Sequence, residues 1–237
     1  MALPFFYINE HDPSQKEIVL DEDTSRHVIQ VLRMKEGEKL SLTDGKGNLI
    51  TAEITHGHKK HCTVKIQAVS HELRAPRQIT IAISLLKNTN RFEWFLEKAT
   101  EIGVGEIIPL ICERTEKQNF RFDRMKGICI SAMLQSQQCW LPVLHEPIKY
   151  PEFIKYVNQK TEVKKFIAHC DDQTGRQSLS TFQPLNHSTI LIGPEGDFTK
   201  QEIELALQND FTPVSLGETR LRSETAGIVA ATLLCLT

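Results

Sequence analysis

The sequence predicts an α/β protein, in which a domain built on a mainly parallel sheet follows a small amino-terminal β domain. Three features carry that expectation. From Gln78 onward, apolar strand-like runs alternate with segments of helical period, the pattern of a parallel sheet with crossover helices. Residues 1 to about 70 instead hold short alternating runs around turn signals. Between the two lies His71-Glu72-Leu73-Arg74-Ala75-Pro76-Arg77, polar and proline-bearing, so the domains are expected at 1–70 and 78–237 with residues 71–77 as linker.

In the first domain, Lys39 to Thr43 and Leu49 to Thr55 flank Asp44-Gly45-Lys46-Gly47-Asn48, a turn signal, and Thr63 to Val69 supplies a further strand. Ser25 to Met34 reads as a short helix with Val28, Val31 and Leu32 inward and Arg26, His27, Arg33 and Lys35 elsewhere. Those basic residues suit a solvated face as well as a phosphate-binding one.

In the second domain, Ile79 to Leu86 is a nearly continuous apolar strand, the kind buried on both faces. Arg91 to Ile102 places Phe92, Phe95, Leu96, Ala99 and Ile102 on one helical face, with Gly103 as the stop. Strand Ile107 to Cys112, a helix from about Asp123 to Gln138, a weaker helix near Phe153 to Asn158 and strand Lys165 to Cys170 continue the alternation.

Two glycine-bearing stretches dominate the last fifty residues. Strand Ser188 to Ile192 runs into Gly193-Pro194-Glu195-Gly196, and Thr199-Lys200-Gln201-Glu202 is a capping box with Phe198 placed to staple onto Ile203. Strand Thr212 to Leu216 runs into a loop through Gly217, then a helix from about Ser223 to Leu236. Glu224 is its one charged residue, so this helix is expected to be buried on nearly every side. Glycine at a strand end permits a sharp bend or a close backbone approach, and loops at the carboxyl ends of parallel strands are where open α/β sheets bind ligands. Gly-Pro-Glu-Gly alone is compatible with an ordinary turn. Arg220, Arg222, Glu224 and Thr225, clustered ahead of a helix too apolar to need them for solubility, make the pair read as a site.

Several classes fall away by inspection. There is no G-x-x-x-x-G-K-[ST], and Gly103-Val104-Gly105 follows a helix instead of opening one after a strand, which excludes a P-loop and an ordinary dinucleotide fingerprint. The six cysteines show no C-x-x-C and no zinc spacing, so they are expected to be reduced and mostly buried, with no metal. No apolar run reaches membrane-spanning length and no signal peptide is apparent, which predicts a cytoplasmic protein. The net charge of −2 announces no basic field, so any nucleic-acid contact must come from local patches. Six of the nine histidines lie in residues 1–77, scattered in polar segments that favour surface positions over ligands.

The stretches LIGPEGDFTKQEI and SLGETRLRSETAGIVAATLL together resemble the last two motifs of the RsmE-type enzymes. These are SPOUT, or α/β-knot, methyltransferases that modify N3 of a uridine in small-subunit ribosomal RNA. His27 to Met34 and Phe95 to Val104 match in the order and spacing of that family, so the resemblance covers nearly the whole chain. It implies a trefoil-knotted carboxyl-terminal domain, S-adenosyl-L-methionine in the knot pocket, a PUA-like β-barrel that holds RNA, a homodimer, and 16S rRNA or the small ribosomal subunit as partner. By the same resemblance, the cofactor lies against Ile192, Gly193, Pro194 and Gly196 and against Leu216, Gly217 and Leu221, with Thr225 and Ala226 closing the helix end. The strand end Ile167-Ala168-His169-Cys170 forms the first wall, where His169 is equally a ribose neighbour or a satisfied strand-end histidine. Arg26, Arg33, Lys35 and Lys87 become RNA contacts.

Uracil N3 carries a proton with a pKa far above neutral, so its methylation needs a base or stabilisation of the anion developing on the flanking oxygens. Candidates are Arg222, Glu224 and Glu195: the arginine for the uracil oxygens or target phosphate, a carboxylate to orient it or take the proton. Glu224 also suits a helix N-terminus for purely structural reasons. Three departures from the family stand out. Leu134-Gln135-Ser136-Gln137-Gln138 lacks a frequent Gly-Arg ending, Asp197 replaces a frequent glycine, and Leu3 to Tyr7 lacks a frequent arginine. Alternative readings are a SPOUT enzyme for another RNA position, such as a tRNA ribose, or a non-catalytic RNA-binding assembly factor.

Overall fold

Alternating strands in the first part of the chain build a curled five-stranded sheet, in a computed structural model that describes residues 3–160, 162–171, 175–182 and 186–236. Its strands are β1 (Phe5–Tyr7), β2 (Glu17–Val19), β3 (Lys39–Thr43), β4 (Asn48–His56) and β5 (Thr63–His71), in the order β1-β3-β4-β5-β2. The β1–β3 pair is parallel and the rest antiparallel, with register shifts between β4 and β5 at Thr51/Ala52 and Ile54/His56. Such bulges add local twist and bend the strands around a core. That core contains Leu40, Leu42, Ile50, Ile54, Val64 and Val28.

The helix expected at Ser25 to Met34 is present but starts earlier, ends earlier and changes form. Helix α1 runs Glu22–Arg26, capped by the Asp21 carboxylate, which accepts the Thr24 N–H at 2.8 Å, and His27–Val31 then form a wider π turn. The extra residue per turn shifts the facing: Val28 is fully buried, but Val31 and Leu32 turn outward, Val31 with 64% of its surface exposed. Residues up to Arg74 and Met133–Leu141 form one compact unit. Trp140 is the reason the later segment belongs there. A Cβ on Gly47, whose φ is 93°, would sit 2.5 Å from the Trp140 ring, and the indole N–H donates to the Glu72 carbonyl at 3.0 Å.

The second unit, Ala75–Ala132 and Pro142 onward, is an eight-stranded sheet of entirely parallel pairs. Its strands are β6 (Gln78–Ser84), β7 (Glu106–Ile111), β8 (Val143–Leu144), β9 (Ile148–Lys149), β10 (Lys164–Ala168), β11 (Gln177–Ser178), β12 (His187–Ile192) and β13 (Thr212–Ser215). The order is β11-β13-β10-β12-β6-β7-β8, with β9 also on β7. Helices α2 (Thr89–Ile102), α3 (Phe122–Gln135), α4 (Tyr150–Val157), α5 (Lys200–Leu207) and α6 (Ser223–Cys235) connect or cover them. Gly103 ends α2 in the left-handed region at φ 96°. The capping box opens α5, with Thr199 N–H on Glu202 Oε2 at 2.9 Å and Glu202 N–H on Thr199 Oγ1 at 3.3 Å. Phe198 and Ile203 share one buried cluster, as a staple requires.

Helix α6 is not enclosed on nearly every side as its composition suggested. Ser223, Glu224, Gly227, Ala230, Ala231 and Leu234 are buried, whereas Ile228, Val229 and Leu233 on the other face are half-buried and Leu236 is exposed. Gly227 allows the buried face to approach α2: a Cβ there would meet the Phe95 ring at 2.6 Å, which outweighs the ordinary cost of glycine in a helix.

At the amino-terminal edge of the sheet, Glu106 accepts from Thr80 (2.7 Å), His145 (2.8 Å) and Lys160 (2.9 Å). Burial pushes its carboxyl upward, and the three hydrogen bonds overcome that, leaving it at about 2 against an ordinary 4.5. A depressed carboxylate adds stability that is full above pH 4.5 and lost as pH falls toward 2. Glu106→Gln should therefore lower the unfolding free energy by roughly 2–3 kcal/mol at pH 7, with the gap to the parent closing between pH 4.5 and 2 in urea titrations.

Candidate active site

Parallel register brings four strand ends level. Ala168 of β10 pairs with Ile192 of β12 and Val214 of β13, and Ile192 pairs with Ile83 of β6. The loops leaving these strands surround a cavity of about 330 Å³ over their carboxyl ends. Of the residues expected at a ligand, His169, Ile192, Gly193, Pro194, Leu216, Gly217, Leu221 and Ala226 line it, as do Glu195 and Arg222. Ile167 does not: strand alternation turns its side chain into the core and leaves neighbouring Ala168 on the wall. Gly196 and Thr225 are also off the lining. The Gly196 carbonyl accepts Arg114 Nη1 at 2.6 Å, which anchors the turn from outside.

Within the glycine turn, Gly193 carries the Phe198 ring, which an added Cβ would meet at 3.1 Å. The Asp197 N–H donates to the Pro194 carbonyl at 2.9 Å, and Asp197 itself takes φ 64°. A glycine would suit that conformation; here an aspartate occupies it, and its carboxylate accepts the Cys170 N–H and the Phe198 N–H, each at 2.8 Å. In the second loop, Gly217 at φ 139° has nothing within 4 Å of where a Cβ would stand, so the cavity is open against its backbone.

His169 is 4% exposed. Its Nδ1 faces the Asp171 N–H at 3.2 Å and so accepts, which places the proton on Nε2. Burial keeps the ring neutral, against the opposing pull of Asp197. Nε2 has no partner among the described residues, a buried donor in a wall of the cavity.

The three candidate catalytic residues are not all brought together. Arg222 is the exposed N-cap residue of α6 on the cavity wall, with no side-chain cap bond, and Glu195 lies on the opposite loop, where Oε1 accepts the Lys87 N–H at 3.0 Å. Glu224 lies off the lining. Two residues beyond Arg222, it points to a different side of the helix, 7% exposed, with Oε1 3.6 Å from Arg91 Nε of α2 and Oε2 unpartnered. Lys87 stands beside Glu195, its ammonium 2.7 Å from Glu116. Arg26, Arg33 and Lys35 lie in the first unit: Arg26 is paired with Asp23 at 2.6 Å, and Arg33 is exposed at φ 55°. Cys170, at the end of the expected wall, also lines the cavity; sequence reasoning missed Arg176 and Ser223 there, and Arg176 belongs to a polar stretch that carried no motif.

A cavity over the carboxyl ends of parallel strands, walled by two glycine-bearing loops, defines a ligand-binding α/β enzyme domain, here joined to a small β unit. The RNA methyltransferase domain model matches residues 73–235, and the RNA methyltransferase PUA domain model matches residues 20–67. The chain therefore belongs to the RNA methyltransferase family, with that family's PUA domain. It is 31% identical to the ribosomal RNA small subunit methyltransferase E of Synechocystis over 86% of this chain and 68% of that protein. A solved structure of a probable rRNA-methyltransferase from Porphyromonas gingivalis is 40% identical, with a TM-score of 0.89 over 97% of this chain and 96% of that one. The Neisseria gonorrhoeae ribosomal RNA small subunit methyltransferase E, bound to S-adenosyl methionine, is 30% identical, with a TM-score of 0.85 over 97% and 95% of the two chains.

Glu224 holds a buried carboxylate oxygen without a donor among the described residues, which costs stability. Glu224→Met should raise the unfolding free energy by about 1–2 kcal/mol, read from chemical denaturation; a fall would mean that Arg91 and the helix end already compensate the charge.

Proposed function

We propose that the protein is an S-adenosyl-L-methionine-dependent methyltransferase acting on N3 of a uridine in 16S rRNA of the small ribosomal subunit, in the cytoplasm. The observation that carries this reading is the cavity between the Gly193–Gly196 and Leu216–Leu221 loops, in a chain of the RNA methyltransferase family similar to small-subunit methyltransferases along nearly its whole length. The carboxyl-terminal domain in this reading is a trefoil knot, and two copies pair through α6. The half-buried apolar face of Ile228, Val229 and Leu233, continuous with exposed Leu236, is the surface a second copy would cover.

The cavity fits the cofactor in size and chemistry. Gly217 leaves the backbone open to a planar group, and the unpaired His169 Nε2–H offers a donor to an acceptor atom of the ligand. When bound, S-adenosyl-L-methionine supplies an electrophilic methyl group on a cationic sulfur. The protein's own tasks are then to align the uridine, exclude water and deal with the N3 proton. Arg222, exposed at the mouth, steadies the negative charge that develops on the uracil oxygens. Glu195, at the same mouth and held by the Lys87 N–H, is the carboxylate best placed to accept the N3 proton. Glu224 lies off the cavity and serves through its contact with Arg91. N3 lies on the pairing edge of the base, so the uridine must be unpaired when it enters. Arg33 and Lys35, on the PUA unit, serve as phosphate contacts.

Methyl transfer from labelled S-adenosyl-L-methionine to small subunits from cells lacking this protein should yield labelled 3-methyluridine by nucleoside mass spectrometry. Label in another nucleoside would overturn the specificity, and no label would overturn the reaction. In the same assay Arg222→Ala should abolish turnover while sparing cofactor affinity. Analytical ultracentrifugation should give the mass of two chains, and a monomer would overturn the pairing through α6.

A further inference from the structure

The peptide unit between His169 and Cys170 is gripped at both ends. Its carbonyl accepts from Arg176 Nη1 at 2.7 Å, and its N–H donates to Asp197 Oδ2 at 2.8 Å. Because the peptide is planar, holding both groups fixes the rotation of the whole unit and therefore the direction in which the His169 side chain leaves the chain. Asp197 is itself fixed: its other oxygen accepts the Phe198 N–H at 2.8 Å, and its own N–H closes the turn on Pro194 at 2.9 Å. Two cavity walls, the β10 end and the Gly193–Gly196 turn, are thus joined through one carboxylate.

The chain accepts a cost for this arrangement. A left-handed φ of 64° is disfavoured for residues other than glycine, although aspartate tolerates it better than most. Glycine would relieve the backbone and abolish the link. Downstream of the clamp lies the buried Nε2–H of His169, which has no acceptor among the described residues.

Resting on the reading of this cavity as the cofactor pocket, we propose that Asp197, with Arg176, is a positioning residue: it clamps the His169–Cys170 peptide so that His169 presents Nε2–H as a hydrogen-bond donor to an acceptor atom of the adenosyl ligand. Asp197 need not touch the ligand and acts through His169.

The test is a double-mutant cycle on the full chain with S-adenosyl-L-methionine as the probe, by titration calorimetry. Asp197→Gly and His169→Ala should each weaken binding about tenfold, the worth of one hydrogen bond, and the double variant should bind no more weakly than either alone. Losses that multiply, or an Asp197→Gly variant that binds like the parent, would overturn the proposal. Asp197→Asn, whose side-chain oxygen can still accept the Cys170 N–H, should recover most of the affinity lost in Asp197→Gly, and equal loss in both variants would overturn the clamp. Long-range ¹H–¹⁵N spectra of the ligand-free protein should show His169 protonated on Nε2 in the parent and a tautomer mixture in Asp197→Gly. That readout involves no cofactor. An unchanged tautomer overturns the clamp, whereas a parent protein that fails to bind S-adenosyl-L-methionine overturns only the cofactor reading.

Discussion

The level register of the parallel strands is the constraint on which the rest depends. Because β10, β12, β13 and β6 pair residue for residue, with Ala168, Ile192, Val214 and Ile83 in adjoining positions, the loops that leave them have nowhere to go but toward one another. The apolar interior of these strands, Ile81 to Ile83, Phe166 and Ile167, Ile190 to Ile192, ties that alignment to burial, since a slip of one residue would turn the core side chains to the opposite face. Glycine and proline in the loops then settle how close the walls come.

The two ends of the sheet differ in how their polar groups are satisfied. Around Glu106, every close donor is matched and the carboxylate is held ionised. At the opposite end, His169 Nε2 and Glu224 Oε2 are buried without partners among the described residues, a condition shared by the hydroxyls of Ser188 and Thr189 in the first half of β12. A buried, unmatched donor in a cavity wall is a cost that binding can offset, whereas the Glu106 network has nothing left to gain.

Much of the architecture was legible because burial and periodicity coincide. Strand β6 is buried along nearly its whole length, and its apolar run shows it; Thr199 and Glu202 cap a helix whose start their spacing announces. Legibility failed where local geometry, not pattern, decides. The π turn at His27–Val31 moves Val31 outward, and no sequence period signals it. Strands β8, β9 and β11, with two residues each, are too short to carry a period. Among site residues, the glycine loops could be read directly, but which residues of the Ile167–Cys170 wall reach the cavity depends on strand phase, and the link from Asp197 to Cys170 joins residues far apart in sequence. Asp197 looked like a departure from a glycine position and turns out to fill that conformation with a hydrogen-bonding group.

The membership of Met133–Leu141 in the first unit bears on how the chain is made. During synthesis, the sheet of β1 to β5 emerges long before Trp140, so its Asp44–Asn48 turn waits with Gly47 uncovered until the indole arrives. Closing that contact carries the loop-closure entropy of a long intervening segment, which includes β6, β7 and most of α3. A fragment cut at the linker therefore lacks the segment that covers Gly47. All residues of the small unit are present only after β6, β7 and α3 have been synthesised.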